Sequence, residues 1–206
     1  VTLPDPPILV ITDRRQCSEP LEERAAALFR GGCRFLSLRE KDMAQDARHA
    51  LLQRLIAIGK PFGVTVGVHD DPAAALACGS ALHLPAGADI AAARTLMGPP
   101  ATIGQSCHTR AEIAAAAAGG ANYVTIGPVF ASASKPGYPP LANIADLVAD
   151  VGVPVLALGG ITLDAVLRGL PARFAGIAVM GQAMTAPDPA AWFTDLGMAW
   201  RTSHRA

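Results

Sequence analysis

The sequence predicts an α/β fold, a single (β/α)8 TIM barrel. Three observations predict it. Short, continuous apolar runs rich in β-branched residues alternate with Ala- and Leu-rich stretches from one end of the chain to the other. Eight runs of each kind can be counted, the number such a barrel needs. No Pro/Gly/Ser linker divides the chain, and the expected organisation is one barrel domain over residues 1–206.

The units follow in order. Strand Ile8–Thr12 precedes helix Leu21–Arg30, and Arg34–Leu38 precedes Ala44–Ile58, where Ala47, Leu51, Leu55 and Ile58 recur at helical spacing between charges. Val64–Val68 leads to Pro72–Ala77, Ala81–Leu84 to Ile90–Met97, and Thr102–Gln105 to Arg110–Ala118. The last three strands, Tyr123–Ile126, Val153–Leu158 and Gly176–Met180, precede helices Leu141–Val151, Leu163–Leu170 and Pro189–Arg201. Apolar runs without alternation suit parallel strands covered on both faces. A doubly wound open sheet would carry a Gly-rich loop after its first strand, and the chain there reads ITDRRQCSEP. At 206 residues each unit has about 26, the short end for this fold, which leaves almost no spare loop.

Composition excludes several function classes. Lys and Arg number 17 against 17 Asp and Glu, and 17% of residues are charged, so diffuse attraction to nucleic acid or to a membrane surface has no support. Hydrophobic residues make up 51%, which argues against disorder, and aromatics only 5%, so Ala, Val, Leu and Ile must build the core. Cys17, Cys33, Cys78 and Cys107 form no CxxC pair and read as free thiols of a soluble cytoplasmic protein. No segment approaches the roughly 20 apolar residues of a membrane span. The outer helices carry enough Ala and Leu to allow a homo-oligomer without specifying one.

In such a barrel, function collects at the carboxyl ends of the strands. Arg39 and Lys41 follow the second strand and leave one face of an extended segment, two cations suited to a polyanion. Ser132, Ser134 and Lys135 add hydroxyls and a third cation on the Gly/Pro-bounded loop after the sixth. Gly159 and Gly160 end the seventh strand and Gly181 the eighth, where backbone N–H groups often bind phosphate. Asp70 and Asp71 could hold Mg²⁺ beside a diphosphate, or Asp71 could cap the next helix. Within its apolar strand, His83 reads as a hydrogen-bonded core residue. The set indicates substrates bearing phosphate and diphosphate.

The runs ITDR (11–14), LREKD (38–42), HDD (69–71), HLP (83–85), IGQSCHT (103–109), YVTIGPVFASASKPG (123–137), LALGGIT (156–162) and GIAVM (176–180) resemble, in this order, the thiamine phosphate synthase family and its sister, the thiazole tautomerase family. The resemblance implies a transferase that joins hydroxymethylpyrimidine diphosphate to thiazole phosphate, with Mg²⁺ as cofactor and release of pyrophosphate. It implies Arg39, Lys41, Ser106 and Lys135 as catalytic residues. Ser37, His69, Ser132, Ser134, Gly159, Gly160 and Gly181 would bind substrate, and Asp70 and Asp89 the metal. Ser37 stands where the family has Gln, and His69 where it has Asn. Asp71 replaces an Arg, and Ala88 falls where the second metal carboxylate is expected, one residue before Asp89, which could either still reach the metal or only cap the next helix. The departures cluster on the diphosphate and metal side, which keeps two alternatives open: a thiazole tautomerase, which would want a histidine where Pro128 stands, and a non-catalytic thiazole-phosphate-binding protein.

Overall fold

The computed structural model describes residues 2–131 and 137–204. Eight parallel strands form a closed barrel in sequence order: β1 (Ile8–Ile11), β2 (Phe35–Leu38), β3 (Thr65–His69), β4 (Ala81–Leu84), β5 (Ile103–Cys107), β6 (Tyr123–Ile126), β7 (Val155–Leu158) and β8 (Gly176–Val179). Parallel pairing of β8 with β1, Val10 opposite Val179, closes it. Around it lie α1 (Leu21–Arg30), α2 (Gln45–Gly59), α3 (Pro72–Cys78), α4 (Ile90–Met97), α5 (Arg110–Ala118), α6 (Ile144–Val148), α7 (Leu163–Arg168), α8 (Gly181–Thr185) and α9 (Pro189–Ser203). None of the described helices is long and apolar enough to cross a membrane. All four cysteines are free, and burial pushes the Cys33 and Cys107 thiols up to about 12.

Why the strands read as unbroken apolar runs is visible in the packing. One side of each faces the helices, where Val10, Leu36, Val68, Leu82, Ile103, Val124 and Ala157 join a large shared core. The other side faces the barrel interior, where Leu9, Ile11, Phe35, Tyr123, Leu156 and Ala178 form a separate small cluster. Tyr123 is the largest side chain there and meets Phe35 edge-on at 5.2 Å. Gly104 on the neighbouring strand makes the room: a Cβ at that position would overlap the Tyr123 ring. Above this apolar layer the inward positions turn polar, with Ser37, His69, His83, Ser106 and Thr125.

Several elements differ from the sequence expectation for identifiable reasons. Helix α6 begins at Ile144 because Asn143 is left-handed (φ 52°) and Leu141 N bonds back to Pro128 O. Likewise α7 ends at Arg168, since Gly169 has φ 93°. β3 and β5 run on to include His69 and Ser106, which places both side chains on rigid strand backbone. Helix α8 has no counterpart among the helices expected from the sequence. It follows β8 directly, and the buried Arg24 of α1 donates through Nη1 to Ala186 O (2.6 Å) at its end. A short extra helix after the eighth strand is a common phosphate-binding feature of this fold.

Candidate active site

A cavity of about 250 Å³ opens at the carboxyl ends of β2 and β3, lined by Arg39, Glu40, Lys41, Arg48, His69 and Asp70. Its rim is set by a buried acid. The Glu40 carboxylate, 2% exposed, accepts from Thr12 Oγ1 (2.7 Å), Arg14 N (3.0 Å) and Arg14 Nη1 (3.0 Å). Arg14 also pairs with Asp42 through both its terminal nitrogens (2.7 and 2.9 Å), while Arg39 N donates to Thr12 Oγ1 (2.9 Å). The acids next to Arg39 and Lys41 are thus taken by Arg14. Among the described residues neither Arg39 nor Lys41 forms an ion pair, so both remain available to an anion.

Asp70 turns the chain from β3 into α3. Its backbone is left-handed (φ 57°), which Asp tolerates better than most residues, and its N–H is held by His83 O (2.9 Å). The carboxylate lines the cavity and, among the described residues, pairs with no cation. Asp71 has a different role. It caps α3 by accepting from Ala74 N (3.0 Å) and pairs with Arg48 (2.6 Å). Burial pushes its carboxyl up, but the Arg48 and Ala74 hydrogen bonds outweigh this and hold it below the usual carboxylate range. The negative charge that departs from the family pattern is therefore matched by Arg48, one turn into α2, and Arg48 itself lines the cavity. Sequence reading missed Arg48, because nothing local to α2 marks a contact 23 residues away.

The polar layer of the interior is one connected set. His69 stacks on His83 with ring centroids 5.5 Å apart. His83 Nδ1 lies 3.0 Å from Tyr123 Oη and its Nε2 lies 3.0 Å from Ser106 Oγ. Thr125 Oγ1 donates to Ser106 Oγ (3.3 Å). Ser37 Oγ is buried with no hydrogen-bond partner among the described residues. An unpaired hydroxyl at this level suits a ligand group.

Both histidines are held neutral. Burial and then the Arg39, Lys41 and Arg48 cations lower His69 to about 4; burial and then His69 and Arg39 lower His83 to about 3. The unfolded chain protonates each near 6.5. Each thus contributes stability that is present above about pH 6.5 and is lost as the pH falls toward its folded value. Urea unfolding at pH 7 and pH 5 should show a loss of about 3 kcal/mol from the pair. Equal stability at the two pH values would contradict neutral burial.

The opposite side of the mouth is built by glycines. Gly159 (φ 95°) and Gly160 (φ 65°) turn the chain after β7, and a Cβ on either would strike the segment after β6, at Pro128 and Phe130. Val129 N donates to Leu158 O (2.9 Å) and Phe130 N to Gly159 O (3.0 Å). Gly181 opens α8, where a Cβ would meet nothing. Leu163 N donates to Gln182 Oε1 (3.3 Å), which ties the β7 turn to α8. Ser132, Ser134 and Lys135 lie outside the described residues. Asp89 caps α4 through Ala92 N (2.9 Å), is exposed, and does not line the cavity.

The structure therefore brings Arg39, Lys41, His69 and Asp70 into one cavity and joins Ser106 to it through the paired histidines. Gly159, Gly160 and Gly181 fall together on the far side. Among the described residues no group of three or more His, Cys, Asp or Glu side chains is arranged to hold a metal alone.

Known proteins fit this arrangement. The family model of thiamine monophosphate synthase matches residues 8–183. The thiamine-phosphate synthase of Chromobacterium violaceum is 41% identical over 175 residues, 81% of this chain and 83% of that protein. That of Thioalkalivibrio sulfidiphilus is 36% identical over 178 residues, 84% of each. The solved thiamine phosphate pyrophosphorylase of Pyrococcus furiosus superposes with a TM-score of 0.85 at 26% identity, covering 96% of both chains. With the match running from the first strand into α8, this chain belongs to the thiamine monophosphate synthase family.

Proposed function

We propose that the protein joins hydroxymethylpyrimidine diphosphate to thiazole phosphate, giving thiamine phosphate and pyrophosphate. The observation that carries this reading is the cavity where Arg39, Lys41 and Arg48 converge while the neighbouring acids Glu40 and Asp42 are held by Arg14. The bond from the pyrimidine methylene to the diphosphate oxygen breaks, and its electron pair leaves with pyrophosphate. The thiazole nitrogen then forms the new bond to the methylene carbon. No proton moves, so no acid–base pair is required. What the reaction needs is charge neutralisation of the leaving group and alignment of two rings.

Arg39, Lys41 and Arg48 neutralise the diphosphate from the β2 and α2 side, and Lys135 is proposed to add a fourth cation. Ser37 Oγ and Ser106 Oγ stand in the polar layer below, where a pyrimidine ring or its diphosphate would meet them. Ser132 and Ser134 are proposed to bond substrate, and Gly159, Gly160 and Gly181 to hold the thiazole phosphate on the far side of the mouth. The residues present fit Mg²⁺ through one carboxylate. Asp70 faces the cavity and pairs with no cation among the described residues, and Mg²⁺ commonly takes one or two carboxylates together with substrate phosphates. Bound there, the ion would neutralise diphosphate oxygens. Asp89 serves as a helix cap outside the cavity. The free cysteines support a cytoplasmic location.

The test is product formation from the two substrates with Mg²⁺. Thiamine phosphate should accumulate at a rate proportional to enzyme. Asp70→Asn should need about tenfold more Mg²⁺ for half-maximal rate, a shift of the size expected for one lost charged ligand. Asp89→Asn, which keeps the cap, should not change the requirement. No product beside an active reference synthase would sink the reading, and isomerisation of a thiazole carboxylate phosphate would put a tautomerase in its place.

A further inference from the structure

We infer that Tyr123 and His83 form a one-way hydrogen-bond chain that fixes Ser106 as a donor toward the substrate. Both are then positioning residues, acting through Ser106. This rests on the proposed function for the identity of the substrate, but the direction of the chain follows from the buried groups alone.

Tyr123 Oη sits 3.0 Å from His83 Nδ1, and His83 Nε2 sits 3.0 Å from Ser106 Oγ. A neutral imidazole has one donor and one acceptor nitrogen, so the chain runs in one of two directions. Tyr123 is 1% exposed and His83 3% exposed, so bulk solvent does not reach either group to take up a wrongly placed proton. Among the described residues His83 is the hydrogen-bond partner of the Tyr123 hydroxyl. If Nδ1 carried the proton, it would donate to Tyr123 Oη and strand the phenol's own proton. A buried, unsatisfied donor costs about 1–3 kcal/mol. If Nε2 carries it, Tyr123 donates to Nδ1 and Nε2–H donates to Ser106 Oγ, with nothing stranded.

The second direction has a consequence at Ser106. Its oxygen then accepts from His83 and also from Thr125 Oγ1 (3.3 Å), which fills both lone pairs. Its own proton is left to donate. Ser106 is partly exposed at the top of β5, so that proton meets the ligand. The substrate atom facing Ser106 must therefore be an acceptor, a ring nitrogen or a phosphate oxygen, and an amino group is excluded. Gly104 belongs to the same device, since any side chain there would displace the Tyr123 ring.

The decisive experiment is long-range ¹H–¹⁵N NMR of the intact protein labelled at histidine nitrogen, with His83→Gln used to assign the resonance. His83 in the wild-type protein should be the Nε2–H tautomer. The Nδ1–H tautomer, or an even mixture, would overturn the proposal whether or not the enzyme turns over. Tyr123→Phe keeps the ring and removes the first proton; kcat should fall about tenfold with KM for the thiazole phosphate unchanged. Activity equal to wild type would overturn it. His83→Gln can accept through its amide oxygen and donate through its amide nitrogen, so it should retain at least fivefold more turnover than His83→Leu. Equal loss in these two variants would reduce His83 to a packing residue. Absence of product in the wild type would sink the proposed function and leave the tautomer result to judge the chain.

Discussion

Replacing Arg39 by alanine should slow thiamine phosphate formation by about 10²–10³-fold, the usual cost of deleting one preorganised group that meets developing charge. Stability should change by no more than about 1 kcal/mol, because Arg39 keeps part of its surface exposed and, among the described residues, pairs with no acid. The separation is the informative part. Glu40 anchors the same turn through Thr12 and Arg14, so the loop keeps its shape when the Arg39 side chain is lost. Steady-state product formation and urea unfolding of the same preparation check the two halves. Wild-type turnover would show that Arg39 meets no developing charge, and a protein that no longer folds would show that Arg39 is structural.

Arg48→Ala should behave differently and lose both activity and stability. Its partner Asp71 has a side chain only 5% exposed, at 2.6 Å. Removing the cation leaves a buried carboxylate uncompensated, which costs about 3–5 kcal/mol. Adding Asp71→Asn should restore most of that stability, because Asn still caps α3 and carries no charge. The double variant should remain slow, since the cavity still lacks its third cation. Recovery of turnover along with stability would mean that Arg48 serves Asp71 alone.

The parts of this molecule legible in its sequence are the local ones. Continuous apolar runs mark strands buried on both faces, and all eight fall where those runs lie. The residues just past the strands, Arg39, Lys41, His69 and Asp70, come together because strand ends in a closed barrel share one mouth. What the sequence hides depends on contacts between distant segments. Arg48 looks like one more charge on an exposed helix face until α2 is packed beside α3. Asp71 looks like a reversed charge until its partner is seen. The need for Gly104 is set by a ring on the next strand. Asp89 is open in the sequence between a displaced metal ligand and a helix cap; folded, its carboxylate accepts from Ala92 N and does not line the cavity. Helix α8 is five residues long, too short for its periodicity to register.

The balanced net charge acquires a spatial meaning here. Cations gather at the β2–β3 side of the mouth while Arg14 ties down the adjacent acids. The presence there of Arg39 and Lys41, which pair with no acid among the described residues, is the core of the functional account. A crystal structure of the protein with pyrophosphate and Mg²⁺ tests it most directly. The account predicts pyrophosphate in the cavity, its oxygens bonded to Arg39, Lys41 and Arg48 and close to Asp70. Pyrophosphate bound only beside Gly159, Gly160 and Gly181, with the three cations unengaged, would contradict it.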